Sequence, residues 1–401
     1  GSVRYALAML RPLQAAIRAR GDEAAWFFDG DGWQELGPDE TLLRSVDEVM
    51  DWNACAVLSP SIRLPHFFPG VKVQIFHGFD AGKPRHIYDR GFFDLYCTTG
   101  PADTQAFEEL ASRLGYFAVR ETGWPKLDPF LRAIGSGEPP PVRQPPVVLY
   151  HSTFSPSWSA AETLYDTVRR LSRTGRWRWM VSLHPKSNPA TVAKYRALQN
   201  QHLRFADPDN ILDLFPQADV MASDTSSALS EFLLTYKPVV TFRNQRPGPQ
   251  LIDISDPAEF EPAIERALAR PPELMRAIRA YADAIHPWRD GRSSERVLDA
   301  AGGSSPVRVS DISLWEIATL VSLGRLALDR PLREWLERAA APPLVRRLGI
   351  SPAVAAAVAD LPDTFHRDPA DRIIVATARV MGAALLTNDA RIRDAGIVQT
   401  V

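Results

Sequence analysis

Residues 135–153 read GSGEPPPVRQPPVVLYHST. The prolines at 139–141 and 145–146 lack the backbone N–H and fix φ, so this stretch is neither helix interior nor central strand and reads as a linker. Directly after it, Val147 to Tyr150 is a continuous apolar run. A run that does not alternate is what a strand shows when helices cover both faces of its sheet. A linker followed by such a strand means that one α/β unit has ended and another begins.

The same rhythm extends both ways. Upstream, Arg4 to Met9 reads as a short strand and Leu13 to Arg20 as a helix stopped by Gly21. Further strands are expected at Ala24–Phe28, Ala54–Ser59, Val71–Phe76, Phe93–Thr98 and Ala118–Thr122, with a helix over Pro101–Leu114. Downstream, Trp179–Leu183, Asp219–Ala222 and Val239–Phe242 read as strands, and Ala160–Ser172, Ala190–Gln199 and Ser226–Tyr236 as helices. The fold class is α/β, with two Rossmann-like, doubly wound domains facing a cleft. A second flexible joint, Ala300 to Pro306, closes this part, so the expected division is 1–135, 146–300 and 306–401. No internal repeat appears.

Composition narrows the function classes. The 401 residues are 45% hydrophobic and 23% charged with a net charge of −2, which gives no global pull toward nucleic acid or anionic lipid, and nucleic acid is not expected as a partner of the first two units. No apolar run reaches the roughly 18 residues of a membrane span. Cys55 and Cys97 lie in apolar runs and are expected to be buried, reduced thiols. With no leader apparent, and with Gly1-Ser2 resembling the scar of a cleaved tag, a cytoplasmic protein is expected.

In doubly wound sheets ligands meet the carboxyl ends of strands, and the chemistry-bearing motifs stand there. His77, with Gly78 permitting a sharp turn, follows the strand ending at Phe76 and is the candidate base, while Lys83 is placed to meet phosphate on the acceptor side. His184-Pro185-Lys186 follows Leu183 in the second unit, where His184 would protonate or hydrogen-bond a phosphate leaving group. His151, Ser152 and Thr153 end the strand after the linker. Asp224-Thr225-Ser226-Ser227 offers hydroxyls and free amides as a phosphate cradle, or else is an ordinary helix cap. Glu231 would hold a ribose or be solvated, and Arg292 and Ser293 would close over a diphosphate.

His-Gly after a strand, then Gly123-Trp124-Pro125-x-x-Asp128, His184-Pro185-Lys186, Ser223-Asp224-Thr225-Ser226-Ser227 and Asp290-Gly291-Arg292-Ser293-Ser294-x-Arg296, in that order, resemble the CDP-glycerol glycerophosphotransferase family over residues 70 to 300. The resemblance implies a GT-B fold and transfer of glycerol phosphate, or a related alditol or sugar phosphate, from a CDP-activated donor to a polymer or lipid-linked hydroxyl. It makes His77 the base on the acceptor and His184 the group that assists departing CMP. Ser226 and Ser227 would hold phosphate, no cofactor is required, and peripheral association with the inner face of the plasma membrane is implied. The sequence departs from the family pattern after His77 and at His151-Ser152-Thr153. UDP-sugar 2-epimerases are similar at His-Pro and at a Ser-Asp-Ser-Gly-Gly turn, but here Ser226-Ser227 replaces the glycines and Phe232 replaces a glutamate.

The last segment reads differently. Val309 to Ala318 and Phe365 to Ala378 begin helices, and Leu385 to Ile392 is a strand and turn. Glu316, Asp371 and Asp389 either converge on a hard cation such as Mg²⁺ or are ordinary acids at helix starts. The wording resembles PIN-domain ribonucleases of the toxin–antitoxin type, and that resemblance makes these three of the four metal-binding acids. The opening strand that carries the fourth is missing before Ser310, so a nuclease-like segment without nuclease activity is expected, with Mg²⁺, RNA or an antitoxin as partners only if it acts.

Overall fold

The computed structural model describes residues 3–30, 32–65, 67–79, 87, 91–135, 138–207, 210–303, 307–340 and 345–400. Lys83 lies outside them. The first part contains α1 (Val3–Ala19), β1 (Ala25–Phe27), β2 (Thr41–Leu43), α2 (Val46–Trp52), β3 (Ala56–Ser59), β4 (Val71–Ile75), β5 (Leu95–Thr98), α3 (Pro101–Leu114), β6 (Ala118–Glu121) and α4 (Asp128–Ile134). The second contains β7 (Val147–Ser152), α5 (Tyr165–Leu171), β8 (Arg178–Leu183), α6 (Pro189–Arg196), β9 (Leu203–Phe205), β10 (Val220–Ser223), α7 (Ala228–Leu233), β11 (Val239–Phe242), β12 (Leu251–Ile254), α8 (Phe260–Leu268), α9 (Pro272–Ile285) and α10 (Ser293–Gly303).

Two main parallel sheets result, in the orders β3-β4-β5-β6 and β12-β11-β10-β7-β8-β9, and β1 and β2 pair in parallel as a separate two-stranded sheet. The continuous runs are buried as their pattern requires: β5, β10 and β11 bury every residue. In the second order β7 sits between β10 and β8, so three motif-bearing strands end side by side. Its core gathers Val148, Leu149, Tyr150, Trp179, Val181 and Phe232.

Three expectations are corrected. Arg4 to Met9 is not a strand; the helix α1 runs through it and through Pro12. Leu10, Leu13, Gln14 and Ile17 recur at helical spacing and line one apolar cavity of about 390 Å³, shared with β1 and β3. An apolar run of six residues does not distinguish the two states by itself. Cys55 is exposed, whereas Cys97 is buried and burial pushes its thiol up to about 12. Third, the last helix of the second unit belongs to the first by packing. Val297 and Ala301 of α10 share a core with Leu13, Val71, Val73, Ile75, Leu95 and Cys97.

The remaining elements are β13 (Val307–Ser310), α11 (Asp311–Ser322), α12 (Leu332–Ala339), β14 (Val345–Leu348), α13 (Pro352–Ala359), α14 (Pro369–Val380) and α15 (Ala390–Ala395). β13 and β14 pair in parallel as a two-stranded sheet. The core is small, built on Val354, Leu361, Phe365, Val375, Ala376 and Ile392. Every described side chain of the apolar helix α11 is left partly or fully accessible.

Candidate functional site

The carboxyl edge of the second sheet collects most of the predicted residues. His151 and Ser152 close β7, in register with Ser182 and Leu183 of β8, and His184 follows at once. On the other side Ser223 ends β10 and Asp224 begins the turn into α7.

Asp224 is the organiser of this edge rather than a free ligand group. It is fully buried. It accepts the Ser152 hydroxyl, the amide of Thr153 at 3.0 Å and the amide of Ala160 at 2.9 Å. Those bonds fold the 152–160 loop over the strand ends. Burial nonetheless holds its carboxyl above the usual range. Asn244 donates to the Asp224 carbonyl at 2.9 Å, and the Gln245 amide donates to the Thr225 hydroxyl at 3.0 Å. Ser226 Oγ accepts from the Ala228 amide at 3.3 Å, while Ser227 is exposed and its hydroxyl makes no cap to the helix. Of the three hydroxyls in this turn, that of Ser227 is the most open.

The two histidines here differ. His151 is buried, and burial with the neighbouring His184 lowers it to about 4, so it is neutral at pH 7. Its Nδ1 has no partner among the described residues. His184 is half-buried, and burial followed by the Lys186 ammonium lowers it too. Its Nδ1 accepts the Lys186 amide at 3.1 Å. Phe154, exposed in the loop held by Asp224, lays its ring 4.5 Å from the imidazole centroid, and the Lys186 Nζ stands 5.6 Å from the Phe154 ring.

His77 and Gly78 stand at the carboxyl edge of the first sheet, with His77 exposed. The next residue, Phe79, is buried in the second unit's core, its ring 5.2 Å from Trp124 and 6.4 Å from His286. The loop bearing His77 is thereby pinned to the junction of the two units. His286 accepts the Trp124 amide at 2.9 Å, and burial drives it down to about 3.

Glu231 is not open to a ribose. Both its oxygens lie 2.9 Å from Lys126 Nζ, reaching from the Gly-Trp-Pro-Lys motif into α7, and the same ammonium sits 4.8 Å from the Trp124 ring. Ser293 is likewise turned inward: it is fully buried, and its amide goes to Asp128 at 2.8 Å. Asp128 also accepts the Ser294 amide at 2.7 Å and its hydroxyl at 2.6 Å, capping α10. The Gly-Trp-Pro-x-x-Asp and Asp-Gly-Arg-Ser-Ser motifs are thus two halves of one structural clasp, and of the second Asp290 and Arg292 remain exposed. Sequence reasoning missed Asp128, Lys126, His286 and Phe154. Only the motif around Asp128 and Lys126 gave a signal, and it did not reveal a partner 165 residues away.

In the last segment, Arg391 spans Asp389 at 2.8 Å and Asp371 at 3.4 Å, while His366 Nε2 lies 3.5 Å from Asp371. Glu316 is raised by burial and then by Asp371. Among the described residues no three His, Cys, Asp or Glu side chains come together as a metal site. An arginine between two of the acids does not fit a divalent-cation centre.

The PIN domain family matches residues 282–398. The ribonuclease VapC22 of Mycobacterium tuberculosis is 38% identical over 114 residues, 28% of this chain and 84% of that protein. Solved structures that share the fold of the larger part include a variant of the wall teichoic acid polymerase TagF, at 13% identity and TM-score 0.50 over 74% of this chain and 85% of that one. Another is described as a UDP-N-acetylglucosamine 2-epimerase from Listeria monocytogenes, at 13% identity and TM-score 0.52 over 75% and 94%. At such identities the likeness is one of fold: two Rossmann-like units of the GT-B type.

Proposed function

Because the chain belongs, through residues 282–398, to the PIN-domain family and carries a GT-B fold ahead of that segment, we propose that its first 300 residues are a CDP-glycerol-type glycerophosphotransferase with units at 1–135 and 146–300, followed by a PIN-like unit at 306–401. The observation that carries this reading is the convergence of His151, His184 and the Asp224–Ser227 turn at one sheet edge. Hydroxyls, amides and neutral imidazoles in one place suit a diphosphate better than a carboxylate-rich site would.

In this reading His77 takes the proton of the acceptor hydroxyl. The oxygen attacks the donor's β-phosphorus in line, the bond to the bridging oxygen breaks, and its electron pair leaves with CMP. Thr225, Ser226 and Ser227 spread the phosphoryl charge, His184 steadies the leaving phosphate, and Lys186 and Arg292 add positive charge at the rim. Positioning and electrostatics do the work. The donor is a CDP-activated alditol or sugar phosphate, and the acceptor a polymer or lipid-linked hydroxyl at the inner face of the plasma membrane. No helix among the described residues is long and apolar enough to cross a membrane. Phe232, fully buried in the core, stands where an epimerase would place an acid, which disfavours that chemistry.

The PIN-like segment is read as nuclease-like without cleavage, since Arg391 engages two of its three candidate acids, Asp371 and Asp389.

The test is transfer of labelled glycerol phosphate from CDP-glycerol. His77→Ala should abolish turnover while CDP-glycerol still stabilises the protein by RT ln(1 + [L]/Kd). Normal turnover by that variant sinks the reading.

A further inference from the structure

We propose that the backbone amide of Lys186 and the ring of Phe154 hold His184 as a neutral imidazole presenting Nε2–H, a fixed hydrogen-bond donor to a phosphate-type oxygen that keeps its proton throughout the reaction. The identity of the anion rests on the transferase reading; the state of the ring does not.

The geometry begins with the turn after β8. The Ser187 amide donates to the His184 carbonyl at 2.8 Å, closing a four-residue turn in which Pro185 fixes φ at the second position. That turn aims the Lys186 amide at Nδ1, 3.1 Å away. An amide N–H is satisfied only by a lone pair, so Nδ1 carries no proton and the neutral ring carries it on Nε2. Phe154 then fixes ring rotation: its ring packs at 4.5 Å and is tilted by 39°. Its own loop is tied down by the Asp224 bonds to Ser152, Thr153 and Ala160. The groups facing the imidazole are the Lys186 ammonium from its own turn and the buried His151 from β7. Burial and Lys186 both oppose a second proton on His184. A CMP phosphate leaves as an anion and needs no proton to do so, so a donor that retains its hydrogen suits the leaving oxygen. The proton released from the acceptor remains with His77. Phe154 and the Lys186 amide are positioning groups.

The full chain labelled with ¹⁵N-histidine decides this by NMR, with His184→Gln identifying the His184 signals. The expected result is an unprotonated Nδ1 and a protonated Nε2 at about pH 7, with a second proton taken up only below the ordinary histidine value of about 6.5. The opposite tautomer, or a ring that gains a proton near pH 6.5, overturns the proposal. Adding CMP should move the Nε2 signal and spare Nδ1; unchanged signals with both CMP and pyrophosphate overturn the donor role. Phe154→Ala should leave the protein folded, by circular dichroism, but broaden the ring signals; an unaltered ring removes Phe154 from the argument and overturns its part. In transfer assays, glutamine places an amide N–H near Nε2, so His184→Gln should stay within about tenfold of the parent while His184→Ala falls about 100-fold. Equal loss in both refutes a donor that keeps its proton. A protonated Nε2 in a chain that transfers nothing leaves the ring assignment standing and sinks only the transferase reading.

Discussion

Replacing Asp128 by alanine should cost more than any other single change in the junction between the two units. The carboxylate is fully buried and takes two backbone amides and one hydroxyl from Ser293 and Ser294, at 2.8, 2.7 and 2.6 Å. Removing it strands three buried donors, each costing about 1–3 kcal/mol when left unpaired, and water entering the vacated volume recovers part of that. The net expectation is about 3–5 kcal/mol. Ser294→Ala keeps both amide bonds and should cost only about 1 kcal/mol. Urea unfolding followed by tryptophan fluorescence reads this directly, because buried Trp124 lies four residues away. Hydrogen exchange should show α10 losing protection before β7 or β8. A loss below about 1 kcal/mol for Asp128→Ala, or equal losses for the two variants, would refute the clasp.

The other predictions concern charge, space and the last segment. His286 and His151 are held down to about 3 and about 4 against 6.5 for the free side chain. The unfolded chain therefore binds these protons first, and stability falls as pH drops below 6.5, by about 1.4 kcal/mol per unit and histidine, until the folded values are reached. Denaturation at pH 6.5 and pH 5 should show this slope, and His286→Gln should remove about half of it. Breaking the Lys126–Glu231 pair from either side should destabilise by about 1–3 kcal/mol, and a double-mutant cycle should return a coupling above 0.5 kcal/mol; an additive cycle counts against the pair. Gly100→Ala would set a Cβ 2.5 Å from the carbonyl of Ile285, so it should part α3 from α9 and lower Tm measurably by calorimetry, although the backbone there is extended. Incubating the full chain with RNA and Mg²⁺ should give no cleavage above that of Asp371→Asn, and cleavage lost in that variant contradicts the reading of the last segment.

Much of this architecture was legible because burial on both sheet faces writes itself as unbroken apolar runs. Val147–Tyr150, Trp179–Leu183 and Val239–Phe242 each fall inside an observed strand. The strand-end positions of His77, His184 and Asp224 followed from the same pattern. What failed had no local signature. Arg4 to Met9 is apolar in either state, and only packing against α10 and the segment Pro125–Leu127 favours helix there. Asp224 and Ser293 look like ligand groups in sequence because Asp and Ser serve binding and structure equally; both are buried, Asp224 holding the 152–160 loop and Ser293 giving its amide to Asp128. Glu231 could not be assigned without Lys126, which lies 105 residues earlier. Phe154 is exposed, and an exposed aromatic acquires meaning only from its neighbour.

Helix α10 bears on where this polypeptide can be divided. The PIN-domain match begins at 282, inside α9, and takes in all of α10. Yet Val297 and Ala301 fill the first sheet's core, and the start of α10 is the half of the clasp that satisfies Asp128. A protease or a genetic deletion cutting at the border of sequence similarity would open a groove across the GT-B part and orphan a carboxylate beneath it. A cut between Gly303 and Val307 would spare both. For this protein, the border of ancestry and the border of autonomous folding lie about two helical elements apart.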